Sequence, residues 1–136
     1  MDYNTSLGIA FSGLNAQSQR LKVIAENLAN ADSTAKTQGG EPYRRQIVTF
    51  GDVFDRALGA TKVKVSGVVH AGGAFGKRYE PGNPAADADG YVLTPNVNSL
   101  TELMDMREAQ RSYEANINVI DAVKAMVSRT IDLLRG

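Results

Sequence analysis

The stretch SGLNAQSQRLKVIAENLANADS, Ser12–Ser33, places leucine at Leu14, Leu21 and Leu28, one every seventh residue, and Leu7 extends the series backwards. With these leucines at heptad position a, position d holds Ala10, Gln17, Ile24 and Ala31. Seven of the eight are apolar. A 3.5-residue apolar period kept over more than three heptads predicts a coiled-coil-type helix from about Thr5 to about Ala31. The helix is weak by composition: Gly8 and Gly13 each cost about 1 kcal/mol relative to alanine, and Asn15, Asn27 and Asn30 do not help. In isolation such a helix is marginal in water, so the leucine stripe predicts a partner.

The far end of the chain repeats the pattern more strongly. Residues 100–135 contain neither glycine nor proline. Ser99 and Glu102 read as an S-x-x-E capping box just after Pro95. With Leu103 at a, the a/d series is Leu103, Met106, Gln110, Tyr113, Ile117, Ile120, Lys124, Val127, Ile131 and Leu134, with only Gln110 and Lys124 polar. Glu102, Asp105 and Glu108 sit early and Lys124, Arg129 and Arg135 late, which complements the helix dipole. At 1.5 Å per residue this helix spans roughly 50 Å, long for a compact domain of this size.

Between the two lies a different texture. All four prolines and ten of the thirteen glycines fall within residues 32–98. YRRQIVTF (Tyr43–Phe50) and TKVKVSGVV (Thr61–Val69) predict strands, FGDVFDRAL between them a short helix, and KRYEPGNPAADADGYVLTP a strand, a Pro/Gly/Asp turn and a second strand at Tyr91–Thr94. The expected fold is therefore mainly α with a small β-rich insert. Residues 1–31 and 99–136 supply heptad-patterned helices forming a coiled-coil-like bundle, and residues 32–98 supply short strands and hairpins.

Composition narrows the function. The 136 residues carry 15 basic and 15 acidic side chains, so no basic excess points to nucleic acid. Absence of cysteine excludes disulfides and thiolate metal sites, and the single histidine disfavours a multi-histidine site. No stretch approaches the roughly 18 apolar residues of a membrane span. MDYNTSLGIAFSGLNAQ has neither a basic start nor a continuous apolar run, so any transport out of the cytoplasm is expected to use a route other than a cleaved signal.

Several stretches approach known chemistry and miss. AGGAFGKR (Ala71–Arg78) has Ala71 and Arg78 where a phosphate loop needs glycine and a hydroxyl, and reads as a glycine-rich hairpin. AADADG (Ala85–Gly90) lacks both charged ends of an EF-hand, with Asn96 where the bidentate glutamate belongs. A turn in which Asp87 and Asp89 bond local amides is expected instead. His70 has no nucleophile constellation around it, and Tyr43–Arg45 reads as a solvated strand edge. No enzyme, metal site or cofactor is predicted.

At this point the residues resemble a known family. Ser12–Ser33 is similar to the N-terminal signature of the axial proteins of the bacterial flagellum, the rod, hook and hook-associated proteins, and YEANINVIDAVKAM (Tyr113–Met126) to their C-terminal counterpart. EPYRRQIVTF (Glu41–Phe50), the stretch Tyr79–Met106 and the short middle segment resemble the proximal rod members. Where many members have threonine three residues after the second asparagine of N-x-x-N, this chain has Ser33. Thr34–Gly40 fits no strict pattern.

The resemblance implies a structural subunit of the basal-body rod. Its terminal helices would pack with each other and with neighbouring subunits, and the rod would transmit torque across the periplasm. Implied partners are other rod proteins, the membrane-ring and rod adaptor proteins, further copies of the chain, and the type III export apparatus that carries such proteins unfolded. The expected interface residues are Leu7, Leu14, Leu21, Ile24 and Leu28 at one end. At the other they are Leu103, Met106, Tyr113, Ile117, Ile120, Val127, Ile131 and Leu134. Other readings are a cytoplasmic coiled-coil adaptor or export chaperone, or a hydrolase using His70, Asp87 and Asp89 with peptidoglycan as its substrate.

Overall fold

A computed structural model describes residues 2–136; Met1, the first residue of the 1–31 segment, lies outside the described residues. The elements in order are α1 (Tyr3–Ala29), β1 (Gln46–Asp55), β2 (Ala60–His70), β3 (Gly76–Tyr79), β4 (Tyr91–Thr94) and α2 (Ser99–Arg135). Two terminal helices of 27 and 37 residues therefore flank a small β region made of two two-stranded sheets, β1–β2 and β3–β4. The chain divides into two compact units.

Unit one comprises Met1–Leu21, Val48–Gly67 and Arg107–Gly136. Asp2 caps α1 by accepting from the Thr5 amide at 2.7 Å, which satisfies one of the unpaired first-turn donors. That bond holds the Asp2 carboxyl below its ordinary value. The helices run antiparallel here: Tyr3 and Thr130 share a hydroxyl–hydroxyl bond at 3.3 Å, and Arg20 meets Glu108 at 3.5 Å. The buried apolar residues are Ala10, Ala16, Ala109, Ile120 and Val123. Three of these are alanines, so the interface buries few methylenes, each worth only about 0.8 kcal/mol. What alanine lacks in area it returns in closeness. A Cβ at Gly13 would stand 2.7 Å from the Asn116 side chain, and one at Gly8 would strike Leu58. The two glycines that weaken α1 by propensity are thus the points where other elements press against it.

The short helix expected at Phe50–Leu58 does not form. β1 continues through this stretch to Asp55, because Val53 and the aromatic Phe50 and Phe54 suit a pleated strand better than an isolated helical turn. Asp55 then makes the turn. Its carboxylate accepts from the Ala57 and Leu58 amides at 2.9 and 3.1 Å and pairs with Lys62 across the hairpin. Gly59 supplies the left-handed residue at φ 62°. Lys62, with help from the Leu58 amide, holds the Asp55 carboxyl below its ordinary value.

Unit two comprises Lys22–Ile47 and Val68–Met106. Val23, Ile24 and Val92 are its buried apolar centre, together with the polar Asn27 and Glu102. β3 and β4 pair antiparallel with Tyr79 opposite Tyr91, whose rings meet edge to face at 5.3 Å. The loop between them is held by Asp87, which accepts from the Asp89 and Tyr91 amides at 3.0 and 2.9 Å. Glu80 adds a second tie. Its carboxylate takes hydrogen bonds from Asn83 and Arg78, and these keep it ionised below the ordinary range.

The α2 cap sits one residue earlier than expected. Asn98, not Ser99, accepts from the Leu100 and Thr101 amides at 3.0 and 3.2 Å. That frees Glu102 from capping and turns it inward.

Candidate assembly surfaces and the polar clasp

Asn27 uses all four of its hydrogen-bonding positions. Its Nδ2 donates to the Gln46 carbonyl (2.9 Å) and to Glu102 Oε2 (3.2 Å), while its Oδ1 accepts from the Tyr43 hydroxyl (2.8 Å) and the Gln46 amide (2.9 Å). Glu102 Oε1 receives Arg45 Nε, and the Arg45 guanidinium also reaches Asp105 at 3.2 Å. Both Asn27 and Glu102 are fully buried. Satisfied in this way they fix one register, whereas left unpaired each would cost several kcal/mol. The clasp ties α1, the segment leading into β1, and α2 within unit two.

The expectation of a solvated Tyr43–Arg45 edge is overturned by these bonds. Arg45 is committed to Glu102 and Asp105. Arg44 lies 4.3 Å over the Phe75 ring and donates to the carbonyls of Ala71 and Gly73. A guanidinium stacked and bonded so is not offered to a phosphate. In the same loop Asn96 accepts from the Arg45 amide and donates to Ala71 O, and the glycine-rich Ala71–Arg78 stretch continues into strand β3, not a helix. Ser33 donates its hydroxyl to Asn30 O at 2.7 Å, closing the end of α1.

Burial pushes the Tyr43 phenol above its ordinary value of 10.0, with Glu26 and Glu102 adding to the shift. A raised folded value means stability that is fully present below pH 10.0 and lost as pH rises through the higher folded value. We expect the urea midpoint to fall in that alkaline window. Tyr43→Phe should lose about 1 kcal/mol at neutral pH with its bond to Asn27 and show a shallower alkaline decline. An unchanged alkaline slope in the variant would assign the loss to other groups.

The hydrolase residues do not converge. His70 lies at the end of β2 and lines a shallow cleft with Glu41, Tyr43 and Arg44. Asp87 lines a different one with Lys77 and Tyr91, its carboxylate already bonded to backbone amides. Among the described residues no three histidine, cysteine or acidic side chains gather around a possible metal position, and no helix is long and apolar enough to cross a membrane.

The seam residues divide by exposure. On α1, Ile24 is buried, and Leu7, Leu14, Leu21 and Leu28 are half-buried. On α2, Ile120 is buried and Met106, Tyr113 and Val127 are half-buried. Leu103, Ile117, Ile131 and Leu134 are exposed, Leu134 to 83%. The covered stripe of α2 runs through Glu102, Met106, Ala109, Tyr113, Asn116, Ile120, Val123 and Val127. One column of the heptad reading is kept, and the other is replaced by the residue just before it. Gln110 and Lys124 thereby fall outside the stripe, and Ala109 and Val123 take the covered places.

Both helical ends are those of flagellar rod proteins. Residues 7–35 match the family described as flagella basal body rod protein, and residues 88–133 the C-terminal family of the flagellar basal body rod FlgEFG proteins. The chain is 53% identical over 128 residues to the flagellar basal-body rod protein FlgC of Agrobacterium fabrum, covering 94% of this chain and 92% of that one. It is 47% identical over 127 residues to FlgC of Escherichia coli O157:H7, with 92% of each chain covered. To FlgC of Bacillus subtilis it is 38% identical over 143 residues, with 94% and 95% covered. The chain belongs to the FlgC family of flagellar basal-body rod proteins. It is a structural subunit of the rod, and its family is not one of enzymes.

Proposed function

We propose that this rod subunit polymerises through α1 and α2, whose apolar faces join those of neighbouring subunits into a coiled-coil-like helical layer that carries torque across the periplasm. The helical ends 1–31 and 99–136 act as assembly elements and 32–98 as the insert between them. Neighbours are other rod proteins, the membrane-ring and rod adaptor proteins, and further copies of the chain. The subunit reaches its place through the flagellar type III export apparatus without a cleaved signal. Docking is assigned to the half-buried leucines of α1 and to Leu103, Met106, Tyr113, Ile117, Val127, Ile131 and Leu134 of α2, whereas Ile24 and Ile120, expected at the interface, are buried within their own chain and serve its fold.

The observation that carries this reading is the uncovered apolar surface of α2. Leu103, Ile117, Ile131 and Leu134 stand exposed on one 37-residue helix, and unit one covers its share of that helix largely with alanines. Burial of the exposed side chains by neighbours returns about 25 cal/mol per Å2 of apolar surface, which offsets the ordering of a helix loosened by Gly8 and Gly13. Contacts that do not close on themselves build helical assemblies. Amide exchange tests this directly. The last two turns of α2 should exchange freely in the dilute chain and become protected in purified basal bodies. Equal protection in the two states contradicts the reading, and recovery of the chain only from cytosol would favour an adaptor or export chaperone.

A further inference from the structure

Within unit one the contact between α1 and α2 has a polar flaw. Gln17 holds a d position of the α1 heptad series, and its Oε1 is buried with no hydrogen-bond partner among the described residues. The part of α2 that faces it follows from the contacts on either side. Gly13, one turn earlier, meets Asn116, and Arg20, three residues later, meets Glu108, so Gln17 looks onto the turn between those two levels. Asn116 spends its Nδ2 on the Ser112 carbonyl of its own helix at 2.9 Å and does not reach across to the glutamine. A buried amide oxygen without a donor has lost its water and gained nothing in exchange.

The rest of the contact does little to offset that cost. Ala10, Ala16 and Ala109 are buried in it, and each alanine brings a single methyl group. The branched side chains that could close it firmly stand elsewhere on the same helix, since Ile117, Ile131 and Leu134 are exposed. In the lone chain α2 therefore meets α1 through small residues and keeps a more apolar face uncovered. We propose that Gln17 holds the α1–α2 contact of the lone subunit metastable, so that it opens and repacks when neighbouring subunits cover the branched face. The proposal rests on the polymerising reading above and names the residue that makes the helices exchangeable. Whatever raises the free energy of the lone pairing more than that of the assembled one shifts the balance toward assembly. An apolar solution exists at this position: methionine has a similar length and flexibility and no polar atom that must be paired. It would lock the contact that glutamine leaves free to open.

Gln17→Met tests this with two readouts. In the isolated chain the urea midpoint should rise, and the amides of residues 10–17 should exchange about tenfold more slowly, the ratio that about 1.4 kcal/mol sets. In cells the variant should be exported at the parent's level yet enter purified basal bodies about tenfold less. An unchanged or lowered midpoint means that solvent already satisfies the amide, and it overturns the proposal. A raised midpoint with normal incorporation overturns it as well. Val123→Ala in the same chain separates metastability from a direct contact with a neighbour. Val123 is buried in unit one, its truncation lowers the midpoint again, and incorporation should return with it. Incorporation that stays low once the midpoint has fallen back shows Gln17 acting by touch on a neighbour, against the proposal. Gln17→Leu repeats both readouts where the methionine variant does not fold. Absence of the unsubstituted chain from basal bodies would remove the polymerising reading, and the exchange with it, whatever the midpoint shows.

Discussion

Glu102→Leu is expected to cost about 2–4 kcal/mol of folding stability, read as a lowered urea midpoint with an unchanged denaturant slope. The side chain of Glu102 is 1% exposed and holds both Arg45 Nε and Asn27 Nδ2. Removing one member of a buried ion pair strands the other, and it is this stranding that costs most. The figure falls below that for a wholly buried pair because Arg45 is 24% exposed and keeps Asp105. Two companions separate the causes. Arg45→Met added to Glu102→Leu should recover much of the loss, since neither charge is then left unpaired. Asn27→Leu should be as damaging as Glu102→Leu, because it orphans the Gln46 amide and carbonyl together with the Tyr43 hydroxyl. A Glu102→Leu chain within about 0.5 kcal/mol of the parent would place it with ordinary surface substitutions and deny the clasp its role.

That clasp marks where sequence reading stopped. Apolar periodicity found both helices, and the β-branched runs found β2 and β4, because those signals are local and each is read along one element. Glu102 shows the other case. Its spacing from Ser99 matched a capping box, yet Asn98 already satisfied the first-turn amides, and a partner 57 residues away in sequence claimed the carboxylate. Arg45 and Tyr43 were misjudged for the same reason, since an edge strand looks solvated until the surface laid over it is known. Asn27 carried a readable hint, a polar residue between buried Val23, Ile24 and half-buried Leu28, but pattern alone did not say what it bonds. The shift of the α2 stripe to Ala109 and Val123 has a geometric origin. A straight helix drifts against a strict seven-residue repeat, and alanine, light in hydrophobic weight, was overlooked although it lets two backbones approach most closely. The hairpin failed differently: Phe50, Val53, Phe54 and Leu58 satisfy a helical period by chance, and the Asp55–Lys62 clamp with Gly59 decides for a turn.

Exposure also decides which substitution tests assembly. Leu21 is half-buried within its own chain, so aspartate there would disturb folding and docking together. Leu103→Asp, Ile117→Asp and Ile131→Asp act at positions 49%, 37% and 45% exposed, where surface changes typically move stability by only about 0.5 kcal/mol. In a neighbour's interface the same change forfeits about 1.5–3 kcal/mol of apolar burial per side chain and adds the desolvation of an unpaired carboxylate. Each subunit in a continuous assembly suffers that loss, so a deficit tolerable in one contact is multiplied along the rod. The three variants are therefore expected to be made at normal levels, to keep the parent's helicity and melting midpoint, and to give no motility on soft agar and no completed rods. Ile120→Ala is the control from the opposite face: its side chain is buried, and it should lower the melting midpoint of the isolated chain through a cavity worth about 2–4 kcal/mol. Motile cells carrying all three aspartates would leave the family membership intact and remove the exposed face of α2 from the list of docking surfaces.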